Sequence, residues 1–369
     1  MCARPLTASD SAAPDLQGLR IGMLAPIAWR TPPVAYGPWE QVASMLTEGL
    51  VRRGIDVTLF ATADSVTSAR LESVAPHGYA EDPRMEGRVW EALHVARALG
   101  RSAEYDLIHN HLDWLPLAFD AEWRSPLVTT IHGFSGAGIL PAYERSRSTF
   151  VSISDADRAP TLEYAATIPH GIDLDAFPLG PGGDDLIVFS RIHPDKGIVD
   201  AIDIAARAGR RLLIAGIVQD EAYFRECVQP RIDGERVVHL GAVTADDRPS
   251  VLGAAAALLH PVHFDEPFGL SVAEAMACGT PVVAYRRGAM AEVVDPGVTG
   301  ILVDPQSDDR LERAAAAVDD AVALDRGSVR ARARARFGID RMVDAYLDVY
   351  RDVIAHRGNP RHPMRARAS

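Results

Sequence analysis

Leu19-Arg-Ile-Gly-Met-Leu-Ala25 and Ile55-Asp-Val-Thr-Leu-Phe-Ala61 are two short apolar runs, and the segment between them decides the fold class. From Trp39 to Arg53, apolar residues recur at Val42, Leu46 and Leu50, a spacing that lines one face of a helix. Gly54 stands where a helix C-cap belongs. Strand, helix and strand in that order make a βαβ unit, and a crossover of this length implies a parallel sheet. The alternation continues through apolar runs at 105–109, 127–132, 149–153 and 167–169. Residues 16–176 are therefore expected to form a first Rossmann-like domain.

The pattern pauses at Phe177-Pro-Leu-Gly-Pro-Gly-Gly-Asp-Asp185, where two prolines and three glycines leave little to bury. This composition marks 177–185 as an interdomain linker. Strand-like runs resume at 186–190, 211–215, 236–240, 256–260, 281–285 and 300–303, which predicts a second α/β domain over 186–340. One of its helices opens with the capping pattern Thr244-Ala-Asp-Asp247. A final helix follows from Arg341, with Met342, Tyr346 and Val349 or Tyr350 on one face. The polar tails, 1–15 and 357–369, are expected to be disordered.

A chain of 369 residues is comfortable as two domains, and 47% hydrophobic with 24% charged residues is ordinary globular composition. The net charge of −12 argues against nucleic acid or anionic lipid as a partner, so any phosphate site must be local. Cys2, Cys227 and Cys278 are odd in number and far apart, which reads as free thiols in a reducing compartment. No apolar stretch approaches the roughly 20 residues of a membrane span, and the first residues lack a signal-peptide core. A cytoplasmic protein without stable membrane insertion is expected. The basic residues are nearly all arginine, and Lys196 is the only lysine.

The most informative string is Glu266-Pro-Phe-Gly-Leu-Ser-Val-Ala-Glu274, followed by Ala-Met-Ala-Cys-Gly-Thr-Pro-Val-Val. Glu266 ends a loop after the run at 256–260, and Phe268, Gly269 and Leu270 would offer free N–H groups where a helix begins. Helix N-termini bind anions and oxygen-rich ligands. Glu274 would lie about one turn inside, placed to accept hydrogen bonds from two vicinal hydroxyls. The competing view is a solvated acidic helix start, which the macrodipole favours by itself.

With this paired-glutamate motif the sequence resembles the retaining glycosyltransferases of family 4, which include phosphatidylinositol mannosyltransferases and sucrose-phosphate synthases. The resemblance implies a GT-B fold: two Rossmann-like domains facing across a deep cleft, the first joined by a C-terminal helix over 341–356. It assigns Glu266 to the transferred sugar, the amides of Phe268, Gly269 and Leu270 to its hydroxyls, and Glu274 to the nucleotide ribose.

A second match is Phe189-Ser-Arg-Ile-His-Pro-Asp-Lys-Gly197, a strand end followed by a planar and a compact cation. Together they suit a diphosphate, as leaving group in this family, so Arg191 and Lys196 are read as catalytic. Tyr36-Gly-Pro-Trp-Glu40 places Gly37 at a helix start where backbone can approach phosphate. The family often has two glycines here; Pro38 removes one donor. Thr129-Thr-Ile-His-Gly133 puts His132 at a strand end, and the resemblance reads it as catalytic, hydrogen-bonding the donor sugar or helping to shape the reaction centre. His109 and His111 project to one face with Asp113 nearby; a cleft-lining or core role outweighs metal binding, and no metal is expected in the site. Ile168-Pro-His-Gly-Ile-Asp173 and Leu240-Gly-Ala-Val243 are further matches, although His170 stands where the family usually has asparagine. By similarity Val243 and Thr244 border the base.

The implied function is retaining transfer of a hexose from a nucleotide-diphosphate sugar, with UDP-sugar favoured and GDP-mannose the alternative. The expected acceptor is a small molecule with a hydroxyl, and no cofactor is needed beyond the donor. Two rivals share these motifs: a nucleotide-sugar epimerase of the same fold, and a noncatalytic nucleotide-sugar-binding protein. A dehydrogenase is disfavoured, since no G-x-G-x-x-G follows the first strand.

Overall fold

The computed structural model describes residues 18–133 and 136–356. The two tails expected to be disordered, and part of the Gly133 to Gly138 loop, lie outside the described residues. Among the described residues the chain forms two all-parallel sheets, as the helix-length crossovers require. The first contains β1 (Arg20–Leu24), β2 (Asp56–Phe60), β3 (Arg70–Glu72), β4 (Leu107–Asn110), β5 (Leu127–Ile131), β6 (Thr149–Ser152) and β7 (Tyr164–Thr167). The second contains β8 (Leu186–Phe189), β9 (Leu212–Ala215), β10 (Val237–Gly241), β11 (Ala257–His260), β12 (Val282–Tyr285) and β13 (Gly300–Val303).

Their orders are β3-β2-β1-β4-β5-β6-β7 and β10-β9-β8-β11-β12-β13. Counted from its own first strand, each sheet follows the Rossmann order 3-2-1-4-5-6, with β7 added to the first. The order reverses between β1 and β4 and between β8 and β11, and crevices at the carboxyl ends of such strands bind ligands. Two readings shift. β7 ends at Thr167 rather than spanning 167–169, because Pro169 has no N–H for a ladder. The short edge strand β3 carries Arg70 and Glu72 with only Leu71 between, too brief for an alternation to register.

Helix α1 (Pro38–Arg52) buries Val42, Leu46 and Leu50 on the first sheet. It ends as its sequence requires: the Gly54 N–H bonds Val51 O at 2.9 Å and the Ile55 N–H bonds Leu50 O at 3.2 Å. Helices α2 (Gly87–Arg101) and α3 (Leu140–Arg145) complete this domain's crossovers. The second domain carries α4 (Ile198–Arg207), α5 (Glu221–Tyr223), α6 (Arg248–Gly253), α7 (Leu270–Ala277), α8 (Met290–Val293), α9 (Arg310–Val322) and α10 (Arg326–Phe337). The last helix, α11 (Ile339–Ala355), returns to the first domain and buries Met342, Val343, Tyr346, Leu347, Val349, Tyr350 and Val353 in the core that holds α1. Each fully buried aliphatic or aromatic side chain contributes about 1.5–3 kcal/mol, so this face alone fixes the helix in place.

Residues 177–185 run along the second domain. The Gly180 N–H bonds Cys278 O, the Gly182 N–H bonds Gly253 O, each at 3.0 Å, and the Arg330 guanidinium on α10 reaches Leu174 O, also at 3.0 Å. The chain crosses between domains just before this segment, at Ile172, and again at Gly338, and the two crossings pair with each other.

Polar contacts also lock α11 to the sheet. Tyr350 Oη meets His109 Nδ1 at 2.6 Å, His109 Nε2 meets Thr130 Oγ1 at 2.8 Å, and Thr130 Oγ1 meets Tyr346 Oη at 2.7 Å. All four side chains are buried. Tyr350→Phe leaves a ring nitrogen of His109 without its partner in a dry core, and the expected cost is about 1–3 kcal/mol of unfolding free energy. Urea denaturation checks it; a variant as stable as the parent would mean that this contact contributes nothing.

Candidate active site in the cleft between the sheets

The carboxyl ends of both sheets face one cleft, and the loops that leave them carry most of the residues singled out in the sequence. In the second domain β8 leads to Arg191 and to a tight turn at Pro194–Lys196. Gly197, at φ 64°, then enters α4 so close to the end of β11 that a Cβ there would lie 1.9 Å from Pro261 O. That approach brings Lys196 against the loop after β11, where its Nζ lies 2.7 Å from Glu266 Oε2. His260 Nε2 is 3.3 Å from the same oxygen. Burial pushes Glu266 upward, but the His260 contact and the Lys196 charge outweigh it and hold the carboxyl at about 2. Glu266 is therefore ionised, an acceptor of hydrogen bonds.

Gly269 precedes α7, and the N–H groups of Leu270 and Ser271 have no carbonyl within the helix to reach. Glu274 is buried on α7, with Oε1 2.8 Å from Arg248 Nη1 on α6. Burial raises its carboxyl, and the Arg248 charge opposes that. The other guanidinium nitrogen of Arg248 donates to Ala35 O of the first domain at 2.8 Å, so one arginine holds both Glu274 and the facing loop. The Ala245 N–H to Val34 O at 3.0 Å adds to this bridge. Arg191 donates to Gln219 Oε1.

Gly37 caps α1 at φ 145°, where a Cβ would lie 2.9 Å from Pro33 Cβ, and Pro38 follows at the first helical position, where its missing N–H costs nothing. Gly37, Arg191, Lys196, Val243, Glu266, Gly269, Leu270 and Glu274 line one cavity of about 170 Å³ that spans both domains. Phe268 and Thr244 do not. The Phe268 ring is 3% exposed, packed on Phe337 at 5.7 Å and His170 at 5.0 Å, because an aromatic side chain there fills the core under α7. Thr244 is exposed; its hydroxyl accepts the Asp247 N–H at 3.2 Å and donates to the Asp247 carboxylate at 2.8 Å, spent on the turn before α6.

His132 follows β5 and is buried beneath Trp39, with rings stacked at 5.4 Å. Its Nε2 is 2.8 Å from His111 Nδ1, and its Nδ1 faces His170 Nε2 at 3.5 Å. Burial first, then the neighbouring imidazoles, pushes His132 well below the usual range, so it is neutral. His109 and His111 thus spend ring nitrogens on Tyr350, Thr130 and His132. Asp113 accepts a hydrogen bond from the Tyr143 hydroxyl.

A wider part of the cleft, about 910 Å³, lies beside this cavity and is lined by Trp29, Tyr36, Trp39, Glu40 and Trp114 among others. Arg248, His260 and Glu40 escaped the sequence reading. Arg248 was detectable in principle, since a buried carboxylate at 274 demands a cation; only tertiary structure says which of many arginines supplies it.

With this geometry in view, the comparisons decide the family. The family described as "Glycosyl transferases group 1" matches residues 175–335, and "Glycosyltransferase Family 4" matches 40–176. D-inositol 3-phosphate glycosyltransferase of Saccharomonospora viridis is 30% identical, across 83% of this chain and 87% of that protein. The chain belongs to glycosyltransferase family 4. This glycosyltransferase is also 26% identical to the glycogen synthase of Mycobacterium tuberculosis, over 92% of this chain and 97% of that one. Among solved structures, AviGT4, a glycosyltransferase of avilamycin A biosynthesis, matches with TM-score 0.71 and 24% identity over 91% and 98% of the two chains. The sucrose-phosphate synthase of Thermosynechococcus elongatus matches with 0.73 and 21% over 91% and 99%. HepE of Anabaena, solved with UDP and glucose, matches with 0.68 and 21% over 90% and 99%. The fold of this family 4 member is GT-B. Among the described residues no helix is long and apolar enough to cross a membrane.

Glu40, 3% exposed, accepts the Trp29 N–H at 3.2 Å, and burial raises its carboxyl from 4.5 to about 7 against its hydrogen bonds. Below pH 4.5 it is protonated whether the chain is folded or not; from there to about 7 it ionises only in the unfolded chain, so stability is lost as pH rises through that window. The gap corresponds to about 3 kcal/mol. Glu40→Gln is expected to gain stability relative to the parent by that order between pH 4.5 and 7, measured by denaturation at each pH; parallel curves would refute the raised value.

Proposed function

We propose that this glycosyltransferase moves a hexose from a nucleoside-diphosphate sugar to a hydroxyl of a small-molecule acceptor in the cytoplasm, retaining the anomeric configuration and requiring no metal. The donor is a UDP-sugar, with GDP-mannose as the alternative. The observation that carries this reading is the convergence of Arg191, Lys196, Gly37, the start of α7 and Glu274 on one cavity at the switch point of the second sheet. Two cations and a helix N-terminus answer a diphosphate, and a buried carboxylate on α7 answers a pair of ribose hydroxyls. Val243 borders the base.

In the transfer, the acceptor oxygen bonds to the anomeric carbon while the bond from that carbon to the diphosphate oxygen breaks, its electron pair leaving with the diphosphate. Arg191 and Lys196 stabilise the departing charge. Glu266 is ionised and His132 neutral with both nitrogens engaged, so neither is poised as a general acid. The acceptor proton goes to the departing phosphate oxygen, on the face where the new bond forms, which gives retention without an enzyme nucleophile. Glu266 accepts hydrogen bonds from the sugar, and His132 supports Trp39 at the edge of the cleft. Closure of the domains excludes water and limits hydrolysis.

Lys196→Ala is expected to lower kcat by ~10²–10³, or about 2.7–4 kcal/mol, as for loss of one preorganised stabilising group. A thermal-shift panel of nucleoside diphosphates and their sugars in EDTA should show stabilisation by one nucleotide, lost in Lys196→Ala, with transfer persisting in EDTA. Absence of any nucleotide shift in the parent protein would sink the donor-site assignment; loss of transfer in EDTA would sink metal independence.

A further inference from the structure

The wide part of the cleft, about 910 Å³, opens beside the donor cavity and shares Arg191 with it. If the donor lies as proposed above, this is the space left for the acceptor, so the choice of acceptor rests on that donor assignment. Its lining is charged almost entirely one way: six carboxylates against one arginine and one histidine. Glu40, Glu91 and Asp113 form the first-domain wall, and Asp195, Asp220 and Glu221 face them from the second.

The arginine of this lining is already engaged: Arg191 bonds Gln219 and is assigned to the donor diphosphate. The His193 ring is spent on its own turn, where Nδ1 accepts the Asp195 N–H at 3.3 Å. Among the described residues, the wall of the first domain has no counter-charge. Glu40 is 3% exposed and accepts the Trp29 N–H; Glu91 accepts the Tyr79 hydroxyl at 2.7 Å; Asp113 accepts the Tyr143 hydroxyl. Burial raises all three carboxyls, and none of the other groups acting on them is a cation. Glu91 and Asp113 lie near enough that the Glu91 charge adds to the rise of the Asp113 carboxyl. Beside them stand aromatic faces: Trp29 against Tyr36 at 5.9 Å, Trp39, and Trp114, which is 40% exposed. Glu40 is buried and Glu91 and Asp113 are half-buried, so each ionises at a cost that an ammonium on a ligand would relieve, and aromatic faces suit a ring or a cation lying on them.

We infer that the acceptor is a polyol or sugar that carries one or more ammonium groups, held by Glu40, Glu91 and Asp113 and stacked on the tryptophans, and that phosphorylated acceptors are excluded. The ammonium groups neutralise the wall while a separate hydroxyl of the same molecule attacks the anomeric carbon; the bond from that carbon to the diphosphate breaks, and the hydroxyl proton leaves on the diphosphate. An anionic acceptor would bring its charge against a lining of six acidic side chains whose one arginine is already assigned to the donor.

The test compares three cyclitols matched in ring size: 2-deoxystreptamine, with two amines; myo-inositol; and myo-inositol 1-phosphate. The full chain is supplied with the nucleotide sugar that stabilises it, at neutral pH, and products are read by mass spectrometry and nucleoside diphosphate release. The expected result is a kcat/KM for the diamine at least about tenfold above that for the phosphate, falling about tenfold in Glu91→Gln and in Asp113→Asn. The nucleotide thermal shift of each variant reports that it is folded. Transfer to the phosphate at an equal or higher rate overturns the inference, as does failure to take the diamine at all, or an unchanged ratio in both folded variants; in each case the donor reading stands if the nucleotide shift is present. Absence of that shift in the parent overturns the donor reading and this inference with it.

Discussion

The chain passes between its domains twice, and the two passes are bonded to each other. The Ile172 N–H meets Phe337 O at 2.6 Å, and the Ile339 N–H meets Ile172 O at 3.1 Å, so a short parallel bridge replaces what would otherwise be two independent tethers. Helix α10 ends on one side of it in the core of the second domain, and α11 begins on the other in the core of the first. Since α11 moves with the first sheet, any change in the angle between the domains is taken up at this bridge. The domains also touch away from this bridge, where Arg248 donates to Ala35 O at 2.8 Å, and near it, where the Ser154 hydroxyl donates to Pro267 O at 2.7 Å.

Inside the cleft the charges are sorted. On the donor side each buried carboxylate has its own cation, Glu266 with Lys196 and Glu274 with Arg248. Buried pairs of this kind return only part of their desolvation cost, which makes them poor devices for stability. Their use is to hold charge and hydrogen-bonding capacity in fixed positions before a ligand arrives, so that little reorganisation is left for the moment of transfer. On the other side the first-domain carboxylates stand without cations among the described residues. One cleft thus presents two environments of opposite electrostatic character, and they meet at Arg191.

How much of this was legible in the sequence depends on the range over which each signal acts. The βαβ pattern, the buried face of α1 and the strands of the second sheet rest on local periodicity, and they emerge within a residue or two of where periodicity puts them. The pairing of Glu266 with Lys196 was visible only as two motifs, 70 residues apart, that each wanted a ligand; that they touch is a property of the switch point where β8 and β11 lie side by side. Thr244 shows the limit of motif reading: it lies in a segment at the donor cavity, but its side chain serves a turn. Phe268 was singled out for its backbone N–H, and its ring fills the core under α7. Arg248 and Glu40 carried no motif at all, and their importance comes from burial, which a sequence does not state.

The histidines show how far the first domain's wall extends behind the surface of the cleft. Trp39 lies over His132, His132 bonds His111, His111 rests on His109 with ring centroids 4.1 Å apart, and His109 bonds Tyr350 of α11. Burial drives His111 and His170 to about 3 and holds His109 and His132 well below the usual range, so four adjacent imidazoles stay neutral and the stack carries no internal repulsion. Four protonated rings in this space would repel one another in a medium that screens poorly. On the inner side α11 closes over the stack, with Tyr346 and Tyr350 both fully buried and packed against His109. A helix that enters the first domain last in sequence thus backs, through His109 and His111, the imidazole that lies beneath Trp39 at the edge of the cleft.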